Sequence, residues 1–266
     1  DIIAKPSGLV LAVGPTGSGK TTTLYSMLNS LNTEERKIIT IEDPVEYQFA
    51  GITQISVATQ SSGQTSFADK LRAVLRLDPD IVMVGEIRDN DTAKTALQAA
   101  LTGHLVLSTF HASSAAAALT RIMDVVGENP LFVSAIRLVM AQRLVRRLDD
   151  AIKVVYSPDE KTISFLQSVI DTLPAETEKP QLAGLQLYAA GSSAQNPYGF
   201  NGQVALREQF IMKNQIIEVL SRTRRPTTQE IEAAAIASGM RTMLQDGVLK
   251  AIAGQTTLDE VFRVIG

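Results

Sequence analysis

The sequence predicts an α/β fold in which a mostly parallel sheet is flanked by helices. In the first half of the chain, short β-branched runs alternate with helical stretches, an order typical of parallel strands joined by crossover helices. A glycine-rich turn joins the first run directly to the first helical stretch. With 266 residues, 45% of them hydrophobic, the chain can bury one large core and a smaller appendage.

Four strands are predicted in the first half, at residues 9–13, 37–41, 81–84 and 105–109. Helical patterns lie between and after them, at residues 20–31, 67–77, 91–102, 113–125 and 131–148. Gly103 stands where a helix would end before the fourth strand, since glycine readily adopts a C-cap conformation. Residues 51–65 predict an exposed hairpin or an extended loop.

The pattern changes after Asp150, and residues 171–202 predict a loop-rich region because they are rich in Pro, Gly and Ser. Three short helices are predicted to close the chain. Capping boxes begin at Thr227 and Thr257, and Gly239 and Gly254 are expected helix ends. We therefore expect a core over residues 1–150, a loop-rich insertion over 151–205 and a small C-terminal helical subdomain over 206–266.

The glycine-rich turn is a complete phosphate-binding loop. Glycines let successive backbone N–H groups turn toward one anion, and the positive end of the following helix adds to the attraction. We expect Lys20 to reach the β- and γ-phosphates and the Thr21 hydroxyl to ligate Mg²⁺. The sequence therefore predicts a bound nucleoside triphosphate, and the alternative is a glycine-rich turn without a ligand. The predicted nucleotide-binding residues of the loop are Gly14, Pro15, Thr16, Gly17, Ser18, Gly19, Lys20, Thr21 and Thr22.

A buried strand at residues 81–84 leads directly to a carboxylate, Glu86. An acid at the tip of a central parallel strand lies beside a phosphate loop, where it can hold Mg²⁺ or a water on it. The sequence thus predicts Glu86 as a catalytic, metal-associated acid. The alternative is a surface acid that caps the strand.

A second strand, at residues 37–41, is followed by the acids Glu42, Asp43 and Glu46. Carboxylates at one strand end repel each other, and this cost suits a site that holds a cation or a water. Glu42 is our candidate for the group that orients or deprotonates the attacking water. The alternative is a solvated acidic turn begun by Pro44.

Histidines and arginines supply the other candidate groups. The two histidines, His104 and His111, flank one predicted strand, and imidazole can donate a hydrogen bond to a phosphate oxygen. A structural role for either histidine is the alternative. Arg72 and Arg76 lie four residues apart on one predicted helix, and Arg88 closely follows Glu86. A guanidinium near the γ-phosphate would favour phosphoryl transfer, whereas a solvated helical face is the alternative.

Composition excludes several kinds of protein. The formal net charge of −3 is near neutral, which disfavours nucleic acid as the main partner. The chain has no cysteine, so disulfides and thiolate metal sites are excluded, as fits a reducing cytosol. No apolar run is long enough to span a bilayer, and we expect no signal peptide. Since the chain starts at Asp1, we expect a fragment without its N-terminal part.

Taken in this order, the motifs resemble the secretion-motor ATPase family that powers type IV pilus assembly and type II secretion. The resemblance covers about residues 8–148. The matching blocks are a Walker A motif at 14–23, an aspartate box (ITIEDPVEY) at 39–47, a Walker B region at 71–89 and a histidine box (TGHLVLSTFH) at 102–111.

The resemblance implies a RecA-like P-loop core that hydrolyses ATP. It implies Glu42 as the catalytic glutamate, Glu86 as the Mg²⁺-associated acid, and His104 and His111 as γ-phosphate sensors. It also implies a homo-hexameric ring on the cytoplasmic face of the inner membrane. The partners it implies are an inner-membrane platform protein and cytoplasmic assembly proteins of a pilus or secretion system, with no nucleic acid. The family's N-terminal domain is expected to be absent from this sequence.

The C-terminal region indicates which branch of the family is the better match. Residues 239–261 are similar to the tail of assembly and secretion motors, so we expect pilus extension or type II secretion, with pilus retraction as the alternative. Many assembly motors carry a tetracysteine zinc module after the histidine box. Residues 187–202 lie where that module would end, and the chain has no cysteine, so we expect no zinc. The alternatives of another class are a nucleic-acid-translocating ring ATPase and a non-hydrolysing nucleotide switch.

Overall fold

The computed structural model describes residues 3–57, 66–127, 130–221 and 225–265, and it has an α/β fold. The strands of the described residues are β1 (Gly8–Val13), β2 (Ile38–Glu42), β3 (Ile52–Ser56), β4 (Ile81–Val84), β5 (Leu105–Phe110), β6 (Ile136–Leu148), β7 (Val154–Tyr156), β8 (Leu187–Ala189) and β9 (Phe200–Ile211). The helices are α1 (Lys20–Leu31), α2 (Phe67–Leu75), α3 (Asn90–Leu101), α4 (Ala115–Val126), α5 (Pro130–Ala135), α6 (Glu160–Asp171), α7 (Asn214–Leu220), α8 (Thr228–Ala237), α9 (Met243–Ile252) and α10 (Leu258–Ile265). Within this part of the chain, no helix is long and apolar enough to cross a membrane.

The main sheet of the described chain has seven strands in the order β3-β2-β4-β5-β1-β6-β9. Strands β3, β2, β4, β5 and β1 pair in parallel, as predicted for strands joined by helices. Because these strands run in one direction, their carboxyl ends meet at one edge of the sheet. The predicted mostly parallel α/β fold is confirmed.

One face of this sheet packs on α1. The helix presents Leu24, Tyr25, Leu28 and Leu31 as a buried stripe, at the spacing that one helix face requires. This stripe joins a core cluster with alternate residues of the strands, among them Val10, Ile38, Met83 and Leu107. The helices α2, α3 and α4 begin at well-formed caps, in which the side chains of Ser66, Asp89 and Ser114 each accept a hydrogen bond from a backbone N–H.

The chain divides into two compact units. The first comprises residues 1–15, 20–140 and 210–238, and the second comprises residues 16–19, 141–209 and 239–266. The second unit has its own core, formed by α6, β8, α9 and α10 with Leu166, Ile170, Leu187, Val248 and Leu258. In this division, the helices α7 and α8 group with the first unit.

Two predicted elements were wrong. Residues 131–148 were predicted as a helix, but β6 occupies Ile136–Leu148 and only the short α5 precedes it. Leu, Met, Ala, Gln and Arg favour helices, yet residues 138–142 are buried without interruption, as in a strand covered on both faces. The exposed hairpin or extended loop predicted at residues 51–65 is, in its described part, the parallel strand β3 beside β2, and residues 58–65 lie outside the described residues.

The predicted helix ends near the C-terminus were mostly confirmed. Thr227 and Glu230 form a complete capping box, and Gly239 and Gly254 follow helix ends with φ of 96° and 69°. At Thr257 one half of the box is present, since its hydroxyl accepts from the N–H of Glu260 at 3.2 Å. The Glu260 carboxylate binds Arg146 and Arg263 instead. Four helices rather than three lie in the described part of residues 206–266.

Candidate functional site

The phosphate loop, residues 14–19, lies between the end of β1 and the start of α1. Gly14, Gly17 and Gly19 have φ values of 148°, 77° and 82°, in the region that favours glycine. A loop of this kind before a helix N-terminus is the usual backbone arrangement for binding a phosphate. The sequence motif therefore has the backbone that its chemistry requires.

The Lys20 side chain folds back over the loop. Its Nζ donates to the carbonyl oxygens of Gly14 at 2.9 Å and Pro15 at 2.8 Å, and the residue is buried. Burial lowers the pKa of Lys20, and the negative charge of Glu86 opposes part of this shift. The ammonium is thus held beside the position that a bound phosphate would take.

Ser18 contributes an unsatisfied polar atom to the loop. Its carbonyl oxygen accepts a 2.6 Å hydrogen bond from the Gln142 amide, whereas its buried hydroxyl has no hydrogen-bond partner in the described part of the chain. An unpartnered buried hydroxyl costs about 1–3 kcal/mol, and an anionic ligand would satisfy it. The loop therefore fits a phosphate group.

The strand register brings the predicted acids to the same edge of the sheet as the loop. Val13 lies opposite Phe110, and Val84 lies opposite both Ser108 and Ile41. The residues at or just beyond these strand ends are Gly14, Glu42, Glu86 and His111. The structure brings together the ends of β1, β2, β4 and β5, as the sequence predicted.

Glu86 is the centre of a charged network at this edge. Its Oε1 lies 2.8 Å from His111 Nε2, and its Oε2 accepts a 2.6 Å hydrogen bond from Arg88 Nε. This hydrogen bond from Arg88 raises the pKa of the guanidinium, which also lies 3.5 Å from Asp43. A cleft of about 220 Å³ opens beside the network, with Arg121 in its lining.

Glu42 lies in a different environment although it ends the neighbouring strand. Its carboxylate is buried at 3% exposure. Oε2 accepts from the Tyr25 hydroxyl, and Oε1 accepts from the Thr40 hydroxyl and from Gln54 Nε2 at 3.2 Å. Burial and the bond to Glu42 raise the pKa of Tyr25 to about 12, so this phenol remains a donor near neutral pH.

Comparison with known proteins shows the family to which this chain belongs. The family model described as type II/IV secretion system protein matches residues 1–263. The chain belongs to this family. Type II secretion system protein E of Xanthomonas campestris is 45% identical over 99% of this chain, and type IV pilus assembly ATPase PilB of Thermus thermophilus is 42% identical over 98%. The chain spans 44% and 28% of the lengths of these relatives.

Solved structures show the same fold for this secretion-family chain. The pilus retraction motor PilT with bound ADP has a TM-score of 0.70 at 28% identity, covering 99% of this chain and 62% of that one. The ATPase DotB of Legionella pneumophila has a TM-score of 0.67 at 24% identity, covering 99% and 61%. The fold is therefore the RecA-like fold of the secretion ATPases.

Two predicted site residues, His104 and Arg76, lie at the opposite edge of the sheet, and Arg72 is engaged by acids outside the Glu86 network. His104 immediately precedes β5, at the end of that strand opposite His111, and its Nδ1 lies 3.1 Å from the Ala99 carbonyl oxygen. A strand of six residues separates the two histidines by about 20 Å, so both cannot contact one phosphate in a single chain. Arg72 pairs with Asp69 and Asp91 in the first turns of α2 and α3, so it lies nearer the site edge but outside the Glu86 network.

Arg76 forms the C-cap of α2. The carbonyl oxygen of the following residue, Leu77, accepts a hydrogen bond from Lys37, which immediately precedes β2. Arg76 therefore lies at the edge of the sheet where β2 begins, remote from the phosphate loop. Within one chain, strand and helix direction carry Arg76 and His104 to the far edge, and Arg72 pairs with other acids, so none of the three joins the Glu86 network. Their assignment to the phosphate site stays a prediction. Arg88 alone among the predicted arginines lies in the network.

Four residues of the site were missed by sequence reasoning. Tyr25 and Gln54 hold Glu42, Gln142 holds the loop carbonyl of Ser18, and Arg121 Nη1 donates to the His111 carbonyl at 2.8 Å. Tyr25 is marked only by its place on the buried stripe of α1. The others belong to elements that were mispredicted or have no motif, so no local signal identified them.

Magnesium is the metal that the family chemistry implies. In the described residues, no group of three or more His, Asp or Glu side chains could hold a metal ion by itself. Mg²⁺ commonly keeps waters and substrate phosphate oxygens as ligands and takes only one or two protein carboxylates. The hard oxygens of Thr21 and Glu86 fit this requirement when a nucleotide supplies the remaining ligands.

Proposed function

We propose that this chain is the ATP-hydrolysing part of a motor that powers type IV pilus assembly or type II protein secretion. The network of Glu86, His111 and Arg88 beside the phosphate loop is the observation that carries the proposal. Phosphoryl transfer requires little covalent chemistry from a protein, so catalysis consists of positioning and charge stabilisation. Glu86 with its nitrogen partners His111 and Arg88, next to the buried Lys20, would supply both the positioning and the charge stabilisation.

Each group would have a defined task. The loop amides and Lys20 would bind the β- and γ-phosphates, and the Ser18 hydroxyl would gain its missing partner there. His111 would donate toward the terminal phosphate, and Glu42 would orient or deprotonate the attacking water. Mg²⁺ held by Thr21 and Glu86 would neutralise phosphate charge when bound.

The assembly that we propose is a homo-hexameric ring on the cytoplasmic face of the inner membrane. Its partners would be an inner-membrane platform protein and the cytoplasmic assembly proteins of a pilus or secretion system. Identities of 45% and 42% to a type II secretion protein and a pilus assembly ATPase, against 28% to a retraction motor, favour assembly or secretion over retraction.

Single-turnover hydrolysis tests this proposal, with enzyme in excess over labelled ATP. Lys20→Ala is expected to abolish tight nucleotide binding, whereas Glu42→Gln is expected to keep ATP bound and slow its hydrolysis by about 100-fold or more. Equal hydrolysis rates for the unmodified chain and both variants would contradict the proposal. ATP bound without turnover by the unmodified chain would instead favour a nucleotide switch.

DNA binding distinguishes the remaining alternative. A nucleic-acid-translocating ring would bind DNA with an affinity that falls steeply as salt rises. We expect no salt-dependent DNA binding, in line with the net charge of −3. Steep salt-dependent DNA binding would favour the translocase.

A further inference from the structure

The carboxylate of Glu42 is closed off from water in this structure. Both oxygens accept hydrogen bonds, from Tyr25 on one side and from Thr40 and Gln54 on the other, and only 3% of the residue is exposed. A general base must come within about 2.6–3.2 Å of the water that it activates. Glu42 must therefore exchange at least one of these partners before it can act.

Tyr25 is the partner that can respond to nucleotide. It lies on α1, the helix that begins with Lys20 and Thr21, and five residues of helix place it about 7.5 Å along the axis from Lys20. Thr40, by contrast, lies on β2 together with Glu42 and would move with it. A ligand that pulls on the start of α1 would thus shift Tyr25 relative to Glu42.

Aromatic and backbone contacts hold Tyr25 in this position. Its ring lies edge-on to Phe49 and Tyr47, with centroid distances of 5.0 Å and 6.2 Å. Its hydroxyl also accepts from the N–H of Glu46 at 3.3 Å. The phenol therefore has one partner for its proton and one for its lone pair, and its geometry is well defined.

Gln54, on the edge strand β3, hydrogen-bonds both to Glu42 and to the backbone of residues 47–49, the segment that packs on Tyr25. Its Nε2 donates to the Tyr47 carbonyl at 2.9 Å as well as to Glu42, and its Oε1 accepts from the N–H of Phe49 at 2.8 Å. The side chains around the carboxylate consequently form one connected network. Loss of its Tyr25 member leaves Oε2 without its hydrogen-bond donor.

We propose that Tyr25 is a positioning residue that holds Glu42 away from water in the resting chain and releases it when nucleotide draws on α1. The proposal rests on the function proposed above, in which Glu42 acts on the attacking water. Nucleotide then shifts the balance toward the released arrangement, which is still the minor one in the nucleotide-bound chain. A minor population of about 10% would allow up to a tenfold gain in kcat on its release.

Tyr25→Phe tests the proposal because it removes the hydroxyl and keeps the ring. We expect kcat for ATP to rise roughly threefold to tenfold, with KM within about twofold of the original value. The matched control is Tyr47→Phe, which removes an exposed hydroxyl from the neighbouring ring and should leave kcat unchanged. An unchanged or lower kcat for Tyr25→Phe would overturn the proposal.

The double variant Tyr25→Phe/Glu42→Gln shows whether the gain passes through Glu42. Its rate should equal that of Glu42→Gln alone, and any gain that persists without the carboxylate would overturn the proposal. The two proposals fail differently. Equal rates for the unmodified chain and Glu42→Gln would contradict the role of Glu42, whereas a slow Glu42→Gln with no gain from Tyr25→Phe would contradict only the role of Tyr25.

A spectroscopic measurement on the unmodified chain does not depend on the variant folding. The chain has five tyrosines, so ¹³Cζ-tyrosine labelling gives five signals, which can be assigned by replacing the other four tyrosines one at a time. We expect the Tyr25 signal to move when a non-hydrolysable ATP analogue and Mg²⁺ are added. A Tyr25 signal that keeps its position with saturating analogue would overturn the proposal.

Discussion

Ser18→Ala should change stability in opposite directions with and without nucleotide. In the free chain the hydroxyl is buried and has no partner in the described residues, so its removal deletes an unsatisfied polar group. Such a group costs about 1–3 kcal/mol, and we therefore expect the free variant to be more stable by about 1 kcal/mol. For a chain of 266 residues this corresponds to a rise in Tm of about 2 °C.

Bound nucleotide should reverse the sign of the effect. A hydrogen bond from the Ser18 hydroxyl to a charged phosphate oxygen contributes about 1.5–3 kcal/mol, so the variant should bind at least about tenfold more weakly. At a ligand concentration 100 times the original Kd, the unmodified chain gains about 2.7 kcal/mol from binding. A tenfold weaker variant gains about 1.4 kcal/mol.

Thermal unfolding with and without a non-hydrolysable ATP analogue measures both effects. Ser30→Ala is the matched control, because this exposed serine of α1 already donates to the Ser26 carbonyl at 2.9 Å. Its change in Tm should be small and the same in both conditions. The reasoning is refuted by a Ser18→Ala chain that is less stable when free and gains as much from the analogue as the unmodified chain.

Three further changes have expected results. His111→Asn should lower kcat by about 10- to 100-fold. His104→Asn, at the other end of β5, should change kcat by less than about twofold. Equal losses of kcat in steady-state assays would contradict the placement of His111, and not His104, at the phosphate site. Gln142→Leu should weaken nucleotide binding by about threefold to tenfold in calorimetry, because its amide fixes the loop carbonyl at 2.6 Å; an unchanged Kd would contradict this. Although burial alone would raise the pKa of Glu260, hydrogen bonds from its two arginines lower it to about 2, from 4.5. Since the folded pKa is the lower one, this stabilisation is present above pH 4.5 and is lost as the pH falls toward 2. Because solvent screens the half-exposed arginines, Glu260→Gln should lower the free energy of unfolding by about 1–2 kcal/mol at pH 7, as measured by urea unfolding. This loss of stability should shrink below pH 4.5. A loss that does not depend on pH would contradict the assignment of the stabilisation to the ionised Glu260 carboxylate.

The strands that carry the site could be predicted because their signals are local. Buried parallel strands such as β1 and β4 are short apolar runs bounded by turn residues, and the phosphate loop follows β1 as Glu86 follows β4. The motif spacing then puts Lys20 and Glu86 just beyond the ends of two such strands without knowledge of the sheet order. Parallel pairing does the rest, since it aligns the carboxyl ends of the strands.

The remaining features depend on contacts between distant parts of the sequence. β6 is rich in helix-forming residues and becomes a strand only because both of its faces are buried by other elements. Local pattern predicts a hairpin or an extended loop at β3, because nothing within that run shows that the strand pairs in parallel with β2. The burial of Glu42 depends on Tyr25 of α1, a contact across 17 residues that no spacing rule predicts.

The most direct test is a structure of the chain with Mg²⁺ and a non-hydrolysable ATP analogue. We predict that the terminal phosphate lies within hydrogen-bonding distance of Lys20 Nζ and the Ser18 hydroxyl, with His111 and Glu86 at the same edge of the sheet. An analogue bound at another surface, with Glu86 and His111 remote from its phosphates, would contradict the assignment of this edge as the site of ATP hydrolysis.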